Sequence, residues 1–205
     1  MFTNIFFKAL HNIWPMLFIF TVILVSIRLA YIFCNKEKFV LYKEILTLCF
    51  IIYILLLYYI VTFQDNNYGT NNFIPFKEIF RYNINSSLFF RNVVGNILLF
   101  VPFGIFTTNF IKSNKIFPTL LISLIVSCSI EFAQSAIGRT ADIDDVILNT
   151  TGGIIGYLLF KVSNKIADKL PKFMKQQFFL DFITLILIII LLYLAFKFGF
   201  WRIIS

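Results

Sequence analysis

Six apolar runs, most of them long enough to cross a lipid bilayer, dominate the chain: Trp14 to Cys34, Ile45 to Phe63, Asn92 to Ile111, Ile116 to Ile137, Val146 to Phe160 and Phe178 to Phe196. A helix crossing the hydrocarbon core needs roughly 20 predominantly apolar residues. With 205 residues, 60% hydrophobic and only 14% charged, and a mean hydropathy of +0.87, the chain carries more apolar side chains than a soluble domain of its size can hide. The expected fold class is therefore all-α, a polytopic transmembrane helical bundle of six spans. Val146 to Phe160 is the weakest of them, about 22 Å of helix against a hydrocarbon core of roughly 30 Å. The count falls to five if that run does not cross.

A net charge of +8 raises the question of nucleic acid, but the basic residues fall between the apolar runs and form no tract or face. That distribution is a topology signal. The segments 35 to 44, 112 to 115 and 161 to 177 hold ten Lys residues, against seven Lys and Arg on the opposite side, three of them in the segment 64 to 91. The positive-inside rule then puts both chain ends, 64 to 91 and 138 to 145 outside. The first run is too long for a signal peptide and lacks a small-x-small cleavage site, so it reads as an ordinary span. Arg28, near its inner end, reads as a head-group anchor. Cys34, Cys49 and Cys128 lie in or at the ends of apolar runs, which implies packing positions and no disulfide framework. The single histidine, His11, precedes the first span and reads as a surface residue. A chain with one histidine excludes membrane hydrolases built on histidine bases or zinc-binding histidines.

Acids are scarce, ten in all, yet Glu131, Asp142, Asp144 and Asp145 fall with Arg139 inside "EFAQSAIGRTADIDD". Glu131 and Gln134 are three apart on the fourth run, and Glu131 sits about 10 Å along the helix from Gly138. Ionisable groups at such depth usually face a partner or a water-filled cavity. Arg139 is the natural partner, and a purely structural salt bridge explains that pair as well as a functional one does. Asp142, Asp145 and Asn149 share a helical face by their spacing, while Asp144 points elsewhere and reads as a helix cap or solvated residue. Gly152 and Gly156 have the small-xxx-small spacing of a close helix contact.

The third run contributes "RNVVGNILLFVPFG". Asn92 and Asn96, four apart, share a face that should look into the bundle, either for interhelical hydrogen bonding or as the wall of a site. Pro102 removes a backbone hydrogen bond in mid-span. Upstream, Asn66 to Asn72 forms a loop. From Pro75, "PFKEIFR" sets Phe76, Ile79 and Phe80 against Lys77, Glu78 and Arg81, as in a short interfacial helix between spans two and three.

At these residues the chain resembles the VanZ-like membrane proteins. The matching elements are "NFIPF" at 72 to 76, "NVVGNILLFVPFG" at 92 to 104, "EFAQ" at 131 to 134, "GRTADIDDVILNTTGG" at 138 to 153 and Gly156. Their order and spacing make the match specific. It divides the chain into two N-terminal helices (1–69), a VanZ-like core (70–160) and a basic loop with a C-terminal helix (161–205). The resemblance implies an association with reduced susceptibility to teicoplanin and related lipoglycopeptides. It also implies a wider kinship with enzymes that exchange or remove head groups on phospholipids and polyprenol-linked intermediates. It carries over Asn92, Asn96, Glu131, Gln134, Arg139, Asp142, Asp145 and Asn149 as site residues. Glu131, Arg139, Asp142 and Asp145 are the catalytic candidates, and Asn92, Asn96, Gln134 and Asn149 the substrate-binding ones.

The residues fit that kinship physically. Arg139 with Asn92 and Asn96 could hold a phosphate, Glu131 could exchange a proton, and Asp142 with Asp145 could bind a divalent cation bridging the phosphate. Two functions stay open. One is an enzyme acting on a lipid-linked phosphate at the outer leaflet of a bacterial cell membrane. The other is a non-catalytic protein that binds lipid or glycopeptide drug and limits access of the drug to its target. A transporter is disfavoured by the lack of an inverted repeat. The partners implied are a membrane lipid or lipid-linked precursor, with a glycopeptide drug and a homo-oligomer as further options; no nucleic acid is implied. Abundant Phe, Ile, Asn and Lys with little Gly and Ala points to a low-GC bacterial source.

Overall fold

The computed structural model describes residues 2–63 and 71–197, with side-chain surroundings for 13–60 and 71–193. The expected surface position of His11, most of the Asn66 to Asn72 loop and the side chains of Lys8, Lys197 and Arg202 lie outside the described residues. The described chain is helical and contains no strand. Inside hydrocarbon a helix satisfies its own backbone groups, and that constraint selects the fold class.

Five helices are long and apolar enough to cross a membrane among the described residues. Ile13–Asn35 lies within α1 (Phe2–Asn35) and Leu41–Ile60 within α2 (Leu41–Phe63). The third, Ser87–Ile111, is made of α4 (Ser87–Phe89), a π-helical turn (Phe90–Val94) and α5 (Gly95–Ile111). The others are α6 (Phe117–Ala136) and α7 (Ile143–Lys169). A sixth apolar helix, α8 (Gln177–Lys197), follows a 3-10 turn at Lys172–Lys175, and the short helix expected between spans two and three is α3 (Lys77–Arg81). Pro102 lies inside α5 without ending it; the irregularity in this span is the π turn around Arg91 and Asn92.

The fifth run is a correction to the sequence reading. Its helix continues past Phe160 through Lys161 and Lys165 to Lys169, 27 residues in all or roughly 40 Å. Lysine is a good helix former, and its long side chain reaches water from a helix end, so a charge need not stop the helix where the apolar run stops. The basic connection expected at 161 to 177 accordingly shrinks to the residues after Lys169.

Two compact units emerge, Met1–Ile60 with Lys169–Ser205, and Val61–Asp168. In the first, Lys36 takes a left-handed conformation (φ 52°) where α1 ends. The Arg28 guanidinium donates two hydrogen bonds of 2.9 Å to the Glu44 carboxylate and lies 3.2 Å from Glu37, so it is ion-paired. Asp181 at the start of α8 accepts the backbone N–H of Tyr42 at 2.9 Å. The cysteines also correct an expectation: Cys34, Cys49 and Cys128 are free and exposed on helix surfaces. A thiol is apolar enough to face hydrocarbon, so an apolar run does not imply a packing position.

The second unit packs α5, α6 and α7 by backbone approach. A methyl group built on Gly104 would overlap the backbone of Gly153, and one on Gly156 would overlap the carbonyl of Val101. This is the close helix contact expected of Gly152 and Gly156. Every buried residue of α6 is polar: Thr119, Ser123, Ser127, Glu131 and Gln134. Its apolar residues face outward, which suits a helix whose solvent is lipid. At the end of α7 away from the acids, Tyr157 donates its hydroxyl to the Asn114 carbonyl (2.7 Å) and Lys161 reaches the Asn114 side chain (2.6 Å).

Candidate functional site

The site is built where α6 ends and α7 begins. Gly138, with φ 83°, takes the left-handed conformation that closes α6, and the N–H groups of Ile137, Gly138 and Arg139 turn back onto the carbonyls of its last turn. This reversal brings the chain back past Glu131. The Glu131 carboxylate, on a buried side chain, accepts the backbone N–H of Asp142 at 2.7 Å. Arg139 lies within electrostatic reach of Glu131.

Asp142 caps α7. Its Oδ1 accepts the N–H of Asp144 at 2.9 Å and the side-chain amide of Asn72 at 2.9 Å. Partial burial raises this carboxyl above the ordinary range, against the lowering effect of those two hydrogen bonds. Asp145 points toward α5, where it accepts a short hydrogen bond from the side-chain amide of Asn96. It is also within electrostatic reach of Glu131 and Asp142. One turn further along, Asn149 donates to Ser127 of α6 at 3.0 Å.

Asp144 is the site's main departure from the sequence reading. It is 1% exposed, neither solvated nor capping its own helix. One carboxylate oxygen accepts a short hydrogen bond from the N–H of Phe76, and the other accepts those of Glu78 (2.7 Å) and Ile79 (3.2 Å). The capping role fell to Asp142 because the residue just before the first helical turn has the geometry for it, whereas Asp144 already projects sideways from that turn. Phe76 itself holds a left-handed conformation, φ 66°, which costs a non-glycine residue on the order of 1 kcal/mol or more and needs such fixing.

The structure therefore joins Asn96, Glu131, Asp142 and Asp145, with Arg139 beside them, and sets Asn149 one turn away. Gln134 is buried, its carbonyl receiving the N–H of Arg139 at 3.0 Å. Asn92 is engaged elsewhere: its amide donates to the Tyr82 hydroxyl at 2.9 Å and its oxygen accepts from Arg91 at 3.2 Å. Asn72, Tyr82 and Ser127 were absent from the sequence-derived site. Asn72 is held to 141–143 by a parallel bridge, its N–H on the Ala141 carbonyl (2.9 Å) and its carbonyl receiving the Ile143 N–H (3.0 Å). Its only sequence signal is its place at the head of "NFIPF".

For a divalent cation, Asp142 and Asp145 are each already hydrogen-bonded, and no three His, Cys, Asp or Glu side chains are grouped as metal ligands among the described residues. A cation here would rest on two carboxylates and substrate oxygens, a set that suits Mg²⁺ and excludes a zinc cage.

Comparison with known proteins gives the following. The VanZ/LLP1 family matches residues 50–164. Protein VanZ of Enterococcus faecium is 34% identical over 103 residues, 49% of this chain and 63% of that protein. The chain thus covers less than two thirds of that relative's length. No solved structure matches.

Proposed function

The chain belongs to the VanZ/LLP1 family, and on that premise we propose that it lowers susceptibility to teicoplanin and related lipoglycopeptides from the bacterial cell membrane. It does so through a phosphate-bearing lipid or lipid-linked cell-wall intermediate, taken at the extracytoplasmic cluster of Glu131, Arg139, Asp142 and Asp145. One observation carries the proposal: acids from two helices and an amide from a third converge on the loop that joins α6 to α7. Capping α7 requires one acid, and Asp142 supplies it. Glu131 and Asp145 add two more carboxylates to the same spot, and ionisable groups concentrated in this way at the end of a span are candidates for chemistry.

The chemistry proposed is transfer or hydrolysis of a phosphate-linked head group. Arg139 neutralises the phosphate. Glu131, held by the Asp142 N–H, exchanges a proton with the attacking or leaving oxygen. Asp145, oriented by Asn96, places a second carboxylate beside the reacting group, where a cation recruited with the substrate would sit. A binding reading, in which the cluster holds lipid or drug without reaction, is favoured by one observation. Asn92 and Asn149 are each held by internal hydrogen bonds, as in a rigid pocket.

The test expresses wild type, Glu131→Gln and Asp145→Asn at matched membrane levels in a susceptible Gram-positive host. Teicoplanin susceptibility is read beside a mass-spectrometric profile of lipids and polyprenol-linked precursors. The enzyme reading expects wild type to change both and the isosteres to abolish both. Protection with an unchanged profile, retained by the isosteres, transfers the function to binding.

A further inference from the structure

Between the described spans, the segment from Phe73 to Ile84 shows more apolar surface than a water-exposed loop tolerates. Phe73 is 71% exposed, Ile74 62%, Phe80 83% and Ile84 70%, and the rings of Phe76 and Phe80 lie 6.2 Å apart. Lys77 and Arg81 are also exposed, with Arg81 3.2 Å from Glu78. The span Ser87–Ile111 begins just after this segment, so its surface is continuous with one that lipid must already cover. Phenylalanines in the acyl boundary beside lysine and arginine at the phosphates is the arrangement of a monotopic anchor on an anionic membrane.

A wedge of five helical residues cannot hold its own shape, since isolated helices of this length are unstable. Its order comes from the site. Asp144 takes three backbone N–H groups of the wedge, while Asn72, just before it, is bridged to Asp142. Asp144 and Asp145 are adjacent in the first turn of α7, so the residue that fastens the wedge and the residue that faces Asn96 share one rigid element.

We propose that Phe73–Phe80 is a wedge seated in the head-group and upper acyl region of the bilayer, and that Asp144 is a positioning residue whose carboxylate latches it beside the acid cluster. The wedge's partner is the anionic lipid surface, and its function is to bring a lipid head group to Asp142 and Asp145 at the height where the phosphates lie. The inference rests on the proposed function only in taking the neighbouring cluster as a lipid-phosphate site. An aspartate is required because its carboxylate only accepts hydrogen bonds. Asparagine would turn an N–H₂ donor against the amides of Phe76 or Glu78.

The experiment uses the full chain in nanodiscs of phosphatidylglycerol and phosphatidylcholine, with Phe80→Trp as the only tryptophan after Trp14→Phe and Trp201→Phe. Lipids brominated near the head group should quench Trp at 80 more strongly than lipids brominated near the chain end. Absence of quenching in this chain, with its spans folded, overturns the wedge. Asp144→Asn should reduce the quenching and speed hydrogen exchange of the Phe76, Glu78 and Ile79 amides by about tenfold, with α5 to α7 still protected. Asp144→Glu, which keeps an acceptor-only group, should retain part of that protection. Equal exchange in wild type and Asp144→Asn, or equal loss in Asn and Glu variants, overturns the latch. Should Asp144→Asn also unfold the spans, exchange in the unsubstituted chain decides, slow at those three amides if the latch exists and fast if it does not. These readouts involve neither drug nor lipid product, so their failure leaves the proposed function standing, and failure of the susceptibility test leaves the latch standing.

Discussion

Asp142, Asp144 and Asp145 are near neighbours with three different tasks: one caps α7, one gathers the amides of a distant loop, and one meets an asparagine of α5. The difference follows from direction, because successive residues of a helix point about 100° apart. Spacing put Asp142, Asp145 and Asn149 on one face and Asp144 on another; in the structure Asp145 turns to α5, Asn149 to α6, and Asp142 lies just ahead of the helix. What spacing could not supply was Asp144's destination, since Phe76, Glu78 and Ile79 are more than sixty residues away in sequence. The raised carboxyl of Asp142 gives a pH prediction. Its protonated form is favoured by folding, so this contribution to stability is present below the ordinary value of 3.8 and is lost as pH rises through the higher folded value. Asp142→Asn keeps an oxygen for the Asn72 and Asp144 donors and removes the charge. Thermal melts in detergent should show a smaller fall in stability from acid to neutral pH for the variant than for wild type, and an equal fall would refute the assignment. Asn96 offers a second case. Asn96→Ala withdraws a hydrogen bond from a half-buried carboxylate and should cost about 1–3 kcal/mol. Combination with Asp145→Asn, which no longer presents a charge to be satisfied, should cost less than the sum, and strict additivity in chemical denaturation would show the two residues uncoupled.

Helices carry the positions that residues then use, and here the close approach of α5 to α7 sets the geometry of the cluster. Gly104 and Gly153 make the clearest test because their surroundings differ. A methyl group on Gly104 meets the backbone of Gly153, which has nowhere to go, whereas one on Gly153 meets the Ser123 Oγ, which can turn, and its Cβ at 2.8 Å, which needs a small shift of the helix. Both substitutions to alanine should destabilise, by roughly 1–3 kcal/mol as overpacking usually does, with Gly104→Ala the worse of the two in melting temperature and membrane level. The reverse order would mean that the helices part more easily than their backbones suggest. At this scale hydropathy found the helices and misjudged their ends. Apolar runs mark where a helix meets lipid, while the helix itself continues as long as caps and breakers allow, so α1 extends upstream of its run and α7 downstream. The polar stripe on α6 was half legible: Glu131 and Gln134 stood out as costly residues, but Thr119, Ser123 and Ser127 read as unremarkable members of an apolar run. Small hydroxyls cost little in hydropathy, and their importance appears only when glycines are found opposite them.

The second unit has two chemically distinct ends, and its orientation decides what the cluster can reach. The acids begin α7, whereas Lys161, Tyr157 and Asn114 join the connection between α5 and α6 to its other end. The rise from Asp145 to Lys161 is roughly 24 Å, most of a hydrocarbon core, and the topology proposed for this chain sets the two ends at opposite faces of the membrane. Lys112, Lys115, Lys161 and Lys165 all fall at the Asn114 end, and it is this charge bias that leads us to propose a cytoplasmic position for that end. Under the proposed function the acid cluster faces the other way, where lipid-linked precursors would meet the drug. The expected result is therefore asymmetric labelling in intact cells. With Cys34, Cys49 and Cys128 replaced by serine, a membrane-impermeant thiol reagent should modify Thr140→Cys, in the loop above the cluster, and spare Ser113→Cys until the membrane is permeabilised. Labelling of Ser113→Cys alone would invert the chain, place the carboxylates in the cytoplasm and leave them without access to a substrate of the outer leaflet. The orientation thus bears on the function as directly as any side chain in the site, because the same cluster turned inward would meet a different population of phosphates.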